Sequence, residues 1–304
     1  MIYHNIDNIN ALKTASAVTV GMFDGVHVGH RHLLRLLHDE AERRQLHPYV
    51  VTFDRHPKLA LGGHTELLMG FDVRVRTLEA LGFDVVVVPF TPQTASLSAC
   101  AFAREVLCNQ LGMQLLVLGY DNRFGNRQHN DFDRLEALGK EVGFGLLRDE
   151  AVDIEGITVS STQVRLALQK GQVELAQRFL GQPYSISGTV VAGRRVGRQI
   201  GFPTANVQVE NLLLPLEGAY AVRATVEGLP KSLEGMVNIG PQPTFGQEAK
   251  TVEVNLFGDC GDIYGRHISL AFAGRLRGIQ KFDSPEALAN QLLLDKQQSY
   301  DLLR

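Results

Sequence analysis

Four apolar runs punctuate the first half of the chain at roughly thirty-residue intervals, the length of a strand–helix unit. They are AVTVG (17–21), YVVTF (49–53), DVVVVPF (84–90) and LLVLGY (115–120). None alternates with polar residues as a half-exposed strand does, so they predict strands buried on both faces of a parallel sheet. Between them, stretches near 30–45, 72–82 and 98–112 are apolar every three or four positions and predict helices. In such a sheet a ligand binds at the carboxyl ends of the strands. Three polar turns leave those ends: GMFDGVHVGH, FDRHP and GYDNRFG.

The pattern changes after GQVELAQRFLGQPY (171–184), a predicted helix closed by Gly181 and Pro183. From Ser185 onward, short strands follow one another without helices: YSISGTVVAG, TANVQVE, GAYAVRATVEG, GMVNIG, TVEVNLFG and HISLAFAG. That succession predicts a small antiparallel barrel. A terminal helix follows, with Ser284 placed to cap it, Pro285 to open it and Glu286 in its first turn. The expected domains are residues 1–183 and 184–304.

Composition narrows the classes. The chain has 304 residues, 44% of them apolar and 21% charged, with a formal net charge of −3. No basic excess points to nucleic acid, and no apolar run is long enough to predict a membrane span. Cys100, Cys108 and Cys260 make no C-x-x-C pair and are odd in number, which suits reduced thiols. The start, MIYHNIDNIN, lacks a signal pattern. The expectation is a cytoplasmic protein.

The candidate chemistry begins at GMFDGVHVGHRHLL (21–34), where the first run turns through glycines into a helix. A helix N-terminus with unpaired N–H groups favours anions. Walker A and G-x-G-x-x-G sequences are both absent, so His27 and His30 must be weighed as a different phosphate device. They also read as surface histidines, or with His32 as a zinc set, although no cysteine or acid stands at standard ligand spacing. A second element, VSSTQVR (159–165), opens a helix with Ser160, Ser161 and Thr162, and Arg165 follows at i+3 from Thr162 on the same face. Alone it is a helix cap.

Together these strings resemble the nucleotidylyltransferase superfamily, whose H-x-G-H and S-S-T-x-x-R elements embrace ATP. VTFDRHP and LGYDNRFGNRQHNDF are similar to the FMN adenylyltransferase module of prokaryotic bifunctional riboflavin kinase/FAD synthetases. The resemblance implies a Rossmann-like domain in which His27, His30, Ser161, Thr162 and Arg165 hold ATP phosphates. It also implies that Gly21, Phe23, Asp24 and Asp121 sit beside the nucleotide. Asn122 stands where many members carry an aromatic, and Asn130 where they carry glycine.

The barrel carries VVAGRRVGRQIGFPTANV. Gly193, Gly197 and Gly201 with Arg194, Arg195 and Arg198 suit a flexible basic flap over phosphates, or an exposed hairpin with solvated arginines. Thr204 and Asn206, two apart, share one face of a strand, and their oxygens suit Mg²⁺ bound with a nucleotide. In TVEVNLF, Glu253 alternates with valines and faces the polar side, either solvated or placed as a base.

GRQIGFPTAN, LPLEGAYAV, NIGPQPTF, VEVNLF, DIYG and LRGIQKF come in the order of the riboflavin kinase module of the same family, which they resemble. The resemblance implies that Gly193, Gly197, Arg198, Gly201, Thr204 and Asn206 bind ATP, the last two with Mg²⁺. It makes Glu253 the base for the ribityl 5′-hydroxyl, and Phe245, Arg277 and Phe282 flavin contacts. Gly278-Ile279 replace a usual acid, and Asn255 a common histidine. The implied activities are riboflavin to FMN and FMN to FAD, each with ATP. Other readings are an adenylyltransferase whose barrel only binds flavin, and a non-catalytic flavin or nucleotide sensor.

Overall fold

A computed structural model of the protein describes residues 3–5, 14–60, 62–120, 131–192, 201–241 and 250–304. By internal contacts the chain divides into two compact units. One comprises Met1–Thr65 with Met69–Ser160, the other Glu66–Leu68 with Ser161–Arg304.

The first unit is built on six parallel strands: β1 (Tyr3–Asn5), β2 (Ser16–Val20), β3 (His47–Phe53), β4 (Asp84–Val88), β5 (Met113–Leu118) and β6 (Gly145–Arg148). Their order across the sheet is β1-β4-β3-β2-β5-β6. The four predicted strands are its centre. Both faces are buried, as their unbroken apolar character requires. Val18, Val20, Val51 and Leu116 lie in one core, and Ala17, Val50, Val85 and Val117 in the other. Helix α1 (Val28–Arg44) buries Leu33, Leu34, Leu37 and Ala41, one stripe at helical spacing. Helix α2 (Phe71–Ala80) follows β3, and α3 (Asp131–Val142) follows β5. The predicted helix at 98–112 is observed with a π-wound middle, Ala103–Cys108, between α segments Ala99–Phe102 and Asn109–Leu111. The strand order reverses between β2 and β5, which makes their carboxyl ends the crevice where ligands bind in such sheets.

In the second unit, α4 (Ser161–Gln169) and α5 (Val173–Leu180) pack together, and Gly181 ends α5 in the left-handed conformation. Six antiparallel strands then close a barrel: β9 (Ser185–Val191), β10 (Ala205–Val209), β11 (Gly218–Val226), β12 (Leu233–Pro241), β13 (Lys250–Leu256) and β14 (His267–Arg277). A two-stranded hairpin, β7 (Asp153–Ile154) and β8 (Ile157–Thr158), precedes α4 in the first unit. The terminal helix α6 (Pro285–Leu303) starts as its sequence dictates: Ser284 Oγ accepts from the Ala287 N–H at 3.1 Å, with Pro285 in the first turn. It packs on β11, β12 and β14.

Candidate functional sites

Two separate sites emerge, one in each unit. In the first, residues 21–27 carry the chain from β2 into α1. The Val26 N–H donates to the Phe23 carbonyl at 3.0 Å, closing a tight turn around Asp24 and Gly25. Phe23 (φ 50°), Gly25 (φ 85°) and Val26 (φ 41°) all adopt left-handed backbone. That conformation is strained for a β-branched valine, typically by about 1–3 kcal/mol. Burial of the Phe23 and Val26 side chains in the core holds the turn in this shape.

The turn delivers His27 as the N-cap of α1, its Nδ1 accepting from the His30 N–H at 3.2 Å. A ring whose Nδ1 accepts carries its neutral-state proton on Nε2. The His27 and His30 rings stack 3.6 Å apart at 17°, and Phe23 meets His30 edge-on at 5.2 Å. Gly29 makes room for this pair, since a Cβ there would lie 3.2 Å from the His27 ring. Gly21 does the same for the Phe23 ring, also at 3.2 Å. His30 Nδ1 has no hydrogen-bond partner among the described residues. Burial first, and neighbouring His27 second, pull the His30 pKa well below the ordinary histidine value.

Around them, buried Asp24 accepts from the Met69 N–H at 3.1 Å, and His32 bonds Asp149, just past β6, at 2.8 Å. The turn therefore presents two stacked imidazoles, with His30 biased to its neutral form, and a helix N-terminus at the carboxyl end of β2. Among the described residues no group of three or more His, Cys, Asp or Glu is arranged for a metal.

In the second unit, Ser161 and Thr162 open α4, and Arg165 Nε donates to the Glu66 carbonyl at 3.4 Å. The barrel holds a cavity of approximately 230 Å³ whose wall includes Thr204, Asn238, Glu253, Arg277 and Asp295. Register explains the convergence: Glu253 on β13 lies opposite Asn206 on β10 and Asn238 on β12. Thr204 immediately precedes β10. Buried Asn255 donates to the Pro203 carbonyl at 2.7 Å and ties that approach segment to β13. Phe202, Met236 and Leu292 make the apolar side of the cavity.

Arg277 forms a fork onto Asp295 of α6, with Nε 2.9 Å from Oδ2 and the terminal nitrogen 2.8 Å from the same oxygen. Phe282 covers the guanidinium at 5.6 Å. Asp295 also accepts from Gln291 Nε2 at 2.8 Å. Thus Thr204, Glu253 and Arg277 are brought together, with Asn206 in register beside them. Gly201, at φ 81°, stands just before this group. Asp121, Gly193, Gly197, Arg198 and Phe245 lie outside the described residues, as do Asn122, Asn130, Arg194 and Arg195.

Two charged residues at these sites escaped the sequence reading. Asp295 was hidden within a helix of apparently solvated polar positions. Arg74 of α2 is buried beneath the first site, where its guanidinium donates to the Phe53 carbonyl.

Comparison with known proteins gives matches in both halves. The family model for FAD synthetase matches residues 9–163, and that for riboflavin kinase matches residues 180–303. The bifunctional riboflavin kinase/FMN adenylyltransferase of Escherichia coli K12 is 37% identical over 296 residues, covering 96% of this chain and 94% of its own. The Bacillus subtilis protein of the same description is 36% identical over 307 residues, covering 98% and 96%. A solved structure described as a macrolide-efflux protein from Streptococcus pneumoniae superposes with a TM-score of 0.87 at 29% identity, covering 99% of each chain. Among the described residues, no helix is long and apolar enough to cross a membrane.

Proposed function

This chain belongs to the bifunctional riboflavin kinase/FMN adenylyltransferase family, and from that premise we propose that it makes FMN at its barrel and FAD at its parallel sheet. Residues 184–304 are assigned the kinase step and residues 1–183 the adenylyl transfer. The observation that carries the reading is the pairing of Glu253 with Asn206 beside a cavity that also takes in Thr204 and Arg277.

In the barrel, the ribityl 5′-oxygen of riboflavin attacks the γ-phosphorus of ATP, the bond to ADP breaks, and Glu253 takes the hydroxyl proton. Thr204 and Asn206 offer hard oxygen donors beside that carboxylate, a set that fits Mg²⁺ held jointly with nucleotide phosphates. The ion, when bound, supplies positive charge to the phosphoryl oxygens. Gly193, Gly197, Arg198 and Gly201 are assigned to ATP. Arg277, Phe282 and Phe245 are assigned to the flavin, and the apolar side of Phe202, Met236 and Leu292 suits a flat heteroaromatic ring.

At the sheet, an FMN phosphate oxygen attacks the α-phosphorus of ATP and pyrophosphate leaves. This step needs alignment and charge neutralisation rather than a covalent intermediate. His27, His30 and the first N–H groups of α1 serve the phosphates, and Gly21 and Phe23 keep the turn that aims them. Asp24 and Asp121 are assigned to the nucleotide, and Ser161, Thr162 and Arg165 to further phosphate contacts. The substrates are small molecules. Free thiols at Cys100, Cys108 and Cys260 support a reducing, cytoplasmic setting.

The test is to incubate the protein with riboflavin and Mg-ATP and separate the flavins. Both FMN and FAD are expected, and the appearance of neither overturns the proposal. FAD from supplied FMN without FMN from riboflavin would overturn the kinase half alone.

A further inference from the structure

Arg74 is a buried cation that packing alone does not require. It sits on the core-facing side of α2 with Val75 and Leu78, only 1% exposed. Its guanidinium reaches the Phe53 carbonyl, the last residue of β3, and lies 5.4 Å from the Phe71 ring. Arg74 Nε has no hydrogen-bond partner among the described residues. Burial pulls the Arg74 pKa below its ordinary value, and the carboxylates of Asp24, in the turn before α1, and Asp54, just after β3, act against that loss. Each carboxylate also anchors backbone: Asp24 the Met69 N–H, and Asp54 the Phe90 N–H at 2.7 Å. Two acids thus lie near the end of β3, Asp54 with exposed Arg55 3.8 Å away, and Arg74 is the buried cation whose charge acts with theirs where a polyphosphate would bring further negative charge.

We propose that Arg74 is a positioning residue of the adenylyl-transfer site, fixing the end of β3 and offsetting Asp24 and Asp54 so that the triphosphate of ATP is accepted there. This rests on the adenylyltransferase reading of the His27–His30 turn. The guanidinium touches neither substrate nor reacting atoms. It acts through the carboxylates and the strand end, so its removal weakens ATP binding more than it slows bound ATP.

The experiment measures FAD formation from supplied FMN at varied ATP, using the full chain and its variants Arg74→Met, Asp54→Asn and the double variant. Asparagine keeps the acceptor for the Phe90 N–H and removes only the charge. A calorimetric transition of the first unit, kept in each preparation, reports that the sheet is folded, and FMN formation from riboflavin reports the barrel. Arg74→Met is expected to raise the KM for ATP about 10- to 100-fold, the usual scale for loss of an outer-shell partner. Adding Asp54→Asn is expected to bring that KM back to within about threefold of the parent, a rescue that a purely structural arginine would not show. A KM within about twofold of the parent for Arg74→Met overturns the proposal, as does a double variant no better than Arg74→Met. Should Arg74→Met not fold, Asp54→Asn alone decides: a lower KM for ATP supports the offset, and an unchanged or higher one overturns it. A parent protein that makes no FAD from FMN would instead refute the underlying reading.

Discussion

Replacing Asp295 by alanine tests the buried ion pair in the wall of the barrel cavity. The carboxylate is 1% exposed and the Arg277 side chain 13%. It receives the Arg277 fork and Gln291 Nε2, all within 3.1 Å. Alanine removes every one of these bonds and leaves a guanidinium with little access to water. Breaking one side of such a pair destabilises by about 3–5 kcal/mol, because the remaining charge stays desolvated without a partner. For a unit of this size that lowers the melting temperature by about 6–20 °C, taking roughly 2–4 °C per kcal/mol. The chain has no tryptophan, so calorimetry, which also resolves separate transitions of two units, is the suitable assay. The double variant Arg277→Met with Asp295→Leu removes both charges and fills the space, and it is expected to recover most of the lost stability without recovering riboflavin phosphorylation. A shift below about 2 °C for Asp295→Ala would refute the reasoning. So would a double variant as unstable as the single one, since the loss would then not come from an orphaned charge.

What the sequence made legible, and what it hid, follows from where each residue's partners lie. YVVTF and DVVVV could be read as buried strands because a strand covered on both faces needs no polar alternation, a local signal. The strands β1 and β6 were missed for the complementary reason. They are sheet edges of three and four residues, and β6 is only half-buried and ends in exposed Arg148. The turn before α1 was legible because its glycines and histidines serve one another within ten residues. Asp295 was not legible, and its helix inverts the naive expectation. Leu293 and Leu294 are 58% and 59% exposed while the aspartate beside them is buried. The barrel-facing side of α6 runs through Leu288, Leu292, Asp295, Ser299 and Leu303, and its one charge is set by Arg277, eighteen positions away. Arg74 is the same case: its partners sit on other elements, and only the closed sheet brings them to it. Charges buried by tertiary partners leave no periodic trace.

Glu253→Gln keeps size and hydrogen-bonding reach but removes the base, so FMN formation is expected to fall about 10²–10⁴-fold. FAD formation from supplied FMN should stay within twofold, as both steps are read by separating flavins after circular dichroism has shown the variant folded. His30→Ala should give the mirror image, losing about 10²–10³ in adenylyl transfer while riboflavin phosphorylation persists; a loss of the kinase step in folded protein would break the two-site assignment. His30 has a folded-state pKa well below its unfolded value of about 6.5, from burial and from His27. The folded state therefore binds fewer protons than the unfolded one. Its share of stability is complete above about pH 6.5 and is lost as the pH falls toward the folded pKa. His30→Asn should accordingly flatten the acid side of the stability curve measured by urea unfolding. A triphosphate beside the ring reverses the balance, since an adjacent anion favours imidazolium. ATP binding near pH 6.5 should then take up protons, seen as a dependence of the calorimetric binding heat on the buffer's ionisation enthalpy. A buffer dependence of the heat that is unchanged in His30→Asn would show that the His30 ring takes up no proton when ATP binds.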